Sequence, residues 1–436
     1  MKNSDAPSPM RKVLRNFGFL LRGRGFAALL TLGSIALMAR SLGPVEFGIV
    51  VLIQSYFLLI KGLLNFRAFE AIIRYGVPMH DTGDISGLRR LIKVCRRVDR
   101  RASLFATGLA LALAPLVGPL MGLSNDQVIL LSIYCLALLT TATSTAGGIL
   151  RLFDLFKLFG RLFTIGPTIR FIGVAIAWWF GSPLWVFVII LGAVIAIENL
   201  YSLWVCRRIY RERIGPPPQG QTVRDAKLNE FPGLQHHLWV TYWQSNMDLA
   251  PKHLATLLAG YLLGPTEAGL LRLAQDFSTV LAKPAVMIRE VALPDLTRSW
   301  NQGSKAFQHV AYRTALLGGG VGLMFVAVIC FFGNFLLGTL IGHNFVGAVP
   351  VLILLLLAAT FDLSAASLRS ASYAIGYASK VLGMYVVSML VYLVLFVLLT
   401  GWMGLIGTGI AACVASALPM FFMVLLIQRG KVGRLN

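Results

Sequence analysis

Long apolar runs alternate with short polar interruptions along the whole chain. The runs fall at about 17–39, 46–66, 102–122, 128–149, 162–181, 184–206, 235–262, 267–288, 314–341, 347–368, 381–400 and 404–427. Each is close to the roughly 20 residues that a helix needs to cross a bilayer. The pattern therefore predicts an all-α membrane protein of about twelve transmembrane helices. With 57% apolar residues among 436 and a mean hydropathy of +0.75, a soluble globular enzyme is excluded. The connections are short and leave no room for a sizeable extramembrane domain.

The interruptions alternate in charge. The N-terminus, 67–101, 151–161, 207–227, 289–313, 369–380 and the C-terminal tail carry 31 of the 39 Lys and Arg, whereas the opposite set carries only Arg40. By the positive-inside rule both termini are predicted to be cytoplasmic, which agrees with an even number of spans. This loop charge accounts for the net +21, so nucleic acid is not an expected partner. The segment Gly87 to Arg101 spaces Leu88, Leu91, Ile92, Cys95 and Val98 at helical intervals among seven Lys and Arg. It reads as a basic amphipathic helix, either an orientation-setting loop or a helix resting on anionic lipids. The five cysteines are dispersed, and His236 and His237 point about 100° apart on a helix, so no disulfide framework, metal site or cofactor motif is expected. The first apolar run lacks the cleavage pattern of a secretory signal and reads as helix 1.

Leu42-Gly43-Pro44-Val45-Glu46-Phe47-Gly48 recurs 221 residues later as Leu263-Gly264-Pro265-Thr266-Glu267-Ala268-Gly269. Pro78 and Gly87 have counterparts in Pro294 and Gly303, and Leu120-Met121-Gly122 in Leu340-Ile341-Gly342. The order and near-constant shift predict two six-helix lobes, 1–210 and 234–436, joined by a cytoplasmic linker at 211–233 that contains Pro216, Pro217 and Pro218. An even number of helices per half makes the repeat parallel, a construction that places substrate at the repeat interface with access alternating between the two sides.

The segment Ala39-Arg40-Ser41-Leu42-Gly43-Pro44-Val45-Glu46-Phe47-Gly48 after the first helix, with its echo after helix 7, resembles the polysaccharide-transporter branch of the multidrug/oligosaccharidyl-lipid/polysaccharide exporter superfamily, the Wzx-type flippases. That resemblance covers the whole chain in topology and implies two six-helix lobes around a cationic cavity. It also implies a polyprenyl-diphosphate-linked oligosaccharide as cargo across the bacterial inner membrane. A polysaccharide polymerase and glycosyltransferases are the protein partners it implies.

Charges inside the spans are costly and are functional candidates by default. Arg170 and Glu198 both lie about 13 Å from the basic ends of their helices and are expected to neutralise each other as a structural pair. Helix 7 carries Thr241, Ser245, Asp248 and Lys252 on one stripe. Asp248 and Lys252 either pair at i, i+4 or face an aqueous cavity, where a titrating Asp248 would couple transport to a cation. Arg272, Asp276 and Lys283 share one face of helix 8, and Lys61 shifted by 221 falls one residue from Lys283. Arg22 and Arg24 are about 200° apart on helix 1, so one faces the cavity while the other snorkels. The net positive sign of this set suits a diphosphate, because Arg engages phosphate oxygens bidentately and Lys supplies a point charge.

Two other transport-related readings remain open: a cation-coupled drug or metabolite exporter of the same superfamily, and a noncatalytic membrane subunit of a polysaccharide synthase. An enzyme on the same glycans would be expected to need a long external loop and a catalytic constellation, and neither is present in the sequence.

Overall fold

The computed structural model describes residues 9–215, 228–279, 304–374 and 377–429, with 9–24, 229, 244–252, 304–311, 427, 429 and several residues between 366 and 382 described as backbone only. These residues are helical apart from short turns and contain no strand. The helices are α1 (Pro9–Leu63), α2 (Ala68–Asp81), α3 (Ile85–Leu120), α4 (Asn125–Cys135), α5 (Ser144–Leu152), α6 (Phe156–Trp179), α7 (Leu184–Arg213), α8 (Leu234–Leu263), α9 (265–279), α10 (Ser304–Leu340), α11 (Val349–Ala374), α12 (Ala378–Met403) and α13 (Leu405–Arg429). Nine stretches among the described residues are long and apolar enough to cross a membrane. The first of them bends at Gly43, where φ is 68°, and so holds two spans. With α8 and α9 the total is about twelve, as the hydropathy pattern predicts.

The repeat shows itself in backbone conformation. Gly43 and Gly264 have φ of 68° and 93°, and Gly122 and Gly342 have φ of 74° and 131°. Side chains are disfavoured in this region, so glycine serves each turn. A third equivalent pair, Gly181 and Gly404, has φ of 57° and 61°. Every predicted turn at the weakly charged ends of the spans therefore reverses at or next to such a glycine.

Two differences from the predicted elements have physical causes. The helix predicted at 128–149 is broken: α4 passes into a 3-10 turn at Leu136–Thr140, and α5 starts only at Ser144. Thr140 and Thr141 donate from their hydroxyls to the carbonyls of Ala137 and Leu138, both at 2.7 Å, a local alternative to the helical ladder. Across the break, the buried Asp99 of α3 accepts from the Thr145 backbone N–H and hydroxyl at 2.6 Å each, capping the new helix.

The basic amphipathic segment is also not a separate surface helix. It is the first part of α3, and Leu88, Leu91, Ile92 and Cys95 are almost completely buried in a core with Ile72 of α2, Ile149 of α5, Ile209 of α7 and Leu234 of α8. Its apolar face is satisfied by protein, so lipid is not needed to cover it. Arg151 closes the same core with its guanidinium over the rings of Phe69 and Phe159, at 4.2 and 4.5 Å.

Contacts divide the chain into one unit of Met1–Leu42 with Ile53–His253 and another of Gly43–Leu52 with Leu254–Asn436. In the second unit, Phe47 meets Phe345 edge to face at 5.6 Å. Gly269 approaches Gly48 so closely that a Cβ on it would lie 3.0 Å from the Gly48 Cα. The two glycines of the repeated motif thus form one close backbone contact.

Candidate functional site

In the first unit, three of the charges inside the spans occupy neighbouring helices. Lys61 stands in the last turn of α1, one turn beyond Phe57, whose ring meets that of buried Tyr134 edge to face at 5.1 Å. Glu198 projects from α7 against Gly166 of α6, where any Cβ would overlap its carboxylate. Lys61 is the opposite charge acting on Glu198. Arg170, one turn along α6 from Gly166, acts on Tyr134. The carboxylate expected to answer Arg170 thus feels the charge of a lysine from another helix. The neighbouring Asn199 donates to the Thr140 hydroxyl at 3.2 Å, tying α7 to the broken span.

In the second unit, Arg272 and Asp276 lie on one face of α9, and their side chains meet at 3.1 Å from Nε to Oδ2. With side-chain exposures of 16% and 23%, the pair is well shielded. The same helix carries a small polar cluster: Thr256 of α8 donates to the Gln275 side-chain oxygen at 3.4 Å, and Ser278 and Thr279 donate to the Gln275 carbonyl.

The remaining candidates are only partly placed. Arg22 and Arg24 lie on α1, and Asp248 and Lys252 on α8, with side chains outside the described residues. Lys283 lies wholly outside them. Thr241, the first member of the helix 7 stripe, is buried and turns its hydroxyl onto the His237 carbonyl of its own helix at 3.0 Å.

An aromatic cluster was not among the sequence candidates. Phe66, just past the end of α1, stacks on Tyr242 at 4.9 Å, and Trp239 stands edge-on to both, at 5.7 Å from Phe66 and 5.5 Å from Tyr242. Trp239 and Tyr242 are i, i+3 neighbours on α8, a spacing visible in the sequence. The contact with Phe66 is long-range and has no local signal. Asp99 was also missed, because four arginines at 96, 97, 100 and 101 make its surroundings read as a solvated basic face. Among the described residues no three His, Cys, Asp or Glu gather as metal ligands, and the five cysteines are free thiols.

Comparison with known proteins yields a family, a relative and solved structures of similar fold. Residues 13–300 match the family described as "Polysaccharide biosynthesis protein". The inner membrane protein YghQ of Escherichia coli (strain K12) is 25% identical over 366 residues, covering 81% of this chain and 99% of that protein. Among solved structures, lipid II flippase MurJ in an inward closed conformation superposes with a TM-score of 0.69 at 14% identity, covering 94% of this chain and 87% of that one. An inward-facing multidrug resistance MATE family transporter of the MOP superfamily gives 0.64 at 13% identity, covering 92% and 94%. At these identities the likeness to the two structures is one of fold.

Proposed function

Because the chain belongs to the polysaccharide biosynthesis protein family, we propose that it is an alternating-access flippase for polyprenyl-diphosphate-linked oligosaccharide. In this reading it works in the bacterial inner membrane, carries cargo from the cytoplasmic to the periplasmic leaflet and serves surface polysaccharide biosynthesis without catalysing a reaction. Residues 1–210 and 234–436 are the lobes and 211–233 the linker in this reading, with the start of α8, up to His253, packed against the first lobe. The family match over 13–300 is the observation that carries the reading, since it covers most of a chain made almost entirely of membrane helices. The inner-membrane designation of the Escherichia coli relative supports the location.

The charges in the spans support an anionic cargo. Lys61 acts on the Glu198 carboxylate and Arg170 lies one turn from Gly166, which that carboxylate packs against, so two cations accompany one acid on these helices. Arg272 presents a guanidinium steadied by Asp276, a geometry suited to a planar bidentate contact with phosphate. Cells lacking the protein are expected to accumulate the lipid-linked oligosaccharide on the cytoplasmic leaflet and to lose the corresponding surface polysaccharide. Undiminished surface polysaccharide in such cells would refute the reading. A cation-coupled exporter of small molecules would give that second result and would alter drug or metabolite tolerance instead.

A further inference from the structure

The beginning of α8 lines a cavity of about 580 Å³ together with the turn before it. We propose that this cavity is a carbohydrate-binding site in which a sugar ring of the cargo stacks on Trp239 and is hydrogen-bonded by Gln235 and His236. The proposal rests on the flippase reading and extends it to the glycan end of the cargo.

Four observations carry it. The volume lies within the roughly 300–1,000 Å³ of small-molecule sites. Trp239 is 45% exposed at the cavity wall, and its ring is held edge-on by Phe66 and Tyr242, which are themselves stacked. A flat apolar face fixed in this way loses little side-chain entropy on binding. Gln235 and His236 are one turn before Trp239 on the same exposed face and also line the cavity, so an amide and an imidazole border the indole. The described lining residues, which include Phe231, Pro232 and Gly233, carry no Lys, Arg, Asp or Glu.

A pyranose has an apolar C–H face and a rim of hydroxyls, which matches an indole flanked by neutral donors and acceptors. Among the described lining residues the diphosphate end would find no counter-charge, and it is assigned to the cationic groups described above. An aromatic residue that only anchors a helix at the membrane interface faces lipid from a convex surface, whereas Trp239 borders a concavity with polar neighbours.

The test uses the full-length protein in detergent and two probes: the lipid-linked oligosaccharide that accumulates in cells lacking the protein, and undecaprenyl diphosphate without sugar. Trp239→Ala is expected to weaken binding of the glycosylated lipid about tenfold, the scale of one lost aromatic contact, and to leave the sugar-free lipid unchanged. Trp239→Phe should keep most of the affinity. If Trp239→Ala does not yield folded protein, Gln235→Ala and His236→Ala, both at exposed positions, should show the same selectivity with smaller loss. Equal weakening of both lipids, or of neither, overturns the sugar site and leaves the flippase reading standing. Wild-type protein that binds neither lipid overturns both.

Discussion

Gly48→Ala is the perturbation whose consequence follows most directly from the geometry. A Cβ at position 48 would overlap the Pro265 carbonyl and stand 3.1 Å from the Thr266 nitrogen. The obstacle is backbone, so no rotamer change relieves it. Restoring van der Waals separation requires a helix displacement of roughly 1.5 Å at a packed contact. Overpacking of this kind costs about 1–3 kcal/mol, while alanine recovers up to ~1 kcal/mol of helix propensity over glycine. The net expectation is a loss of about 1–2 kcal/mol, or roughly 2–8 °C in the melting midpoint of a unit near 200 residues. Thermal unfolding of purified protein in detergent, followed by tryptophan fluorescence, measures it. Two controls sharpen the result. Gly269→Ala meets its nearest atom at 3.0 Å and should be milder, and Gly62→Ala has nothing within 4 Å and should be neutral or slightly stabilising. A Gly48→Ala protein as stable as wild type, or a Gly62→Ala protein equally damaged, would refute the claim that the duplicated motif exists to bring these backbones together.

Glu198→Ala removes a carboxylate whose charge acts on Lys61 and should lower protein abundance; Lys61→Met with Glu198→Leu should restore it. With Arg272 as the proposed charge-assisted contact to the cargo, Arg272→Ala should slow flipping roughly ten- to a hundredfold at normal abundance, with Arg272→Lys less impaired. Asp84 accepts from the Gly87 N–H at 2.8 Å and from the Ser86 hydroxyl at 2.9 Å, which hold its carboxyl below the usual range. Its capping contribution, about 1 kcal/mol, should therefore be present above its unfolded-state pKa and be lost as pH falls through the lower folded value, so unfolding midpoints of wild type and Asp84→Ala should converge in acid. For topology, a cysteine at exposed Thr82 should react with impermeant thiol reagents only from the cytoplasmic side and one at exposed Asn125 only from outside; Cys95 is buried and unsuited to this measurement.

Hydropathy alone was enough to delimit the spans, and the duplicated Gly-Pro turns revealed the repeat, because both signals are local. The break between α4 and α5 was hidden, since it depends on Asp99, 46 residues away in sequence, capping a helix that apolar periodicity runs straight through. The equivalence of Gly181 and Gly404 escaped notice because it is conformational and their neighbours differ in kind. Periodicity exposed the apolar face of residues 87–101 without saying what covers it; α2, α5, α7 and α8 do so from distant parts of the chain. Depth arithmetic placed Arg170 and Glu198 at one level of the membrane, but depth says nothing about direction around the helix, and it gave no sign that the charge of Lys61 also acts on Glu198. The grouping of Arg272 with Asp276 was legible because both lie on one helix at i, i+4.

Translocation by the purified protein in liposomes is the measurement closest to the central claim. Vesicles would carry the lipid-linked oligosaccharide labelled in one leaflet, with an impermeant glycan-modifying enzyme reporting its arrival in the other. The account predicts transfer that depends on the protein, is slowed by Arg272→Ala and is competed by unlabelled lipid of the same kind. Transfer no faster than in protein-free vesicles, from a preparation that is folded and correctly inserted, would contradict it.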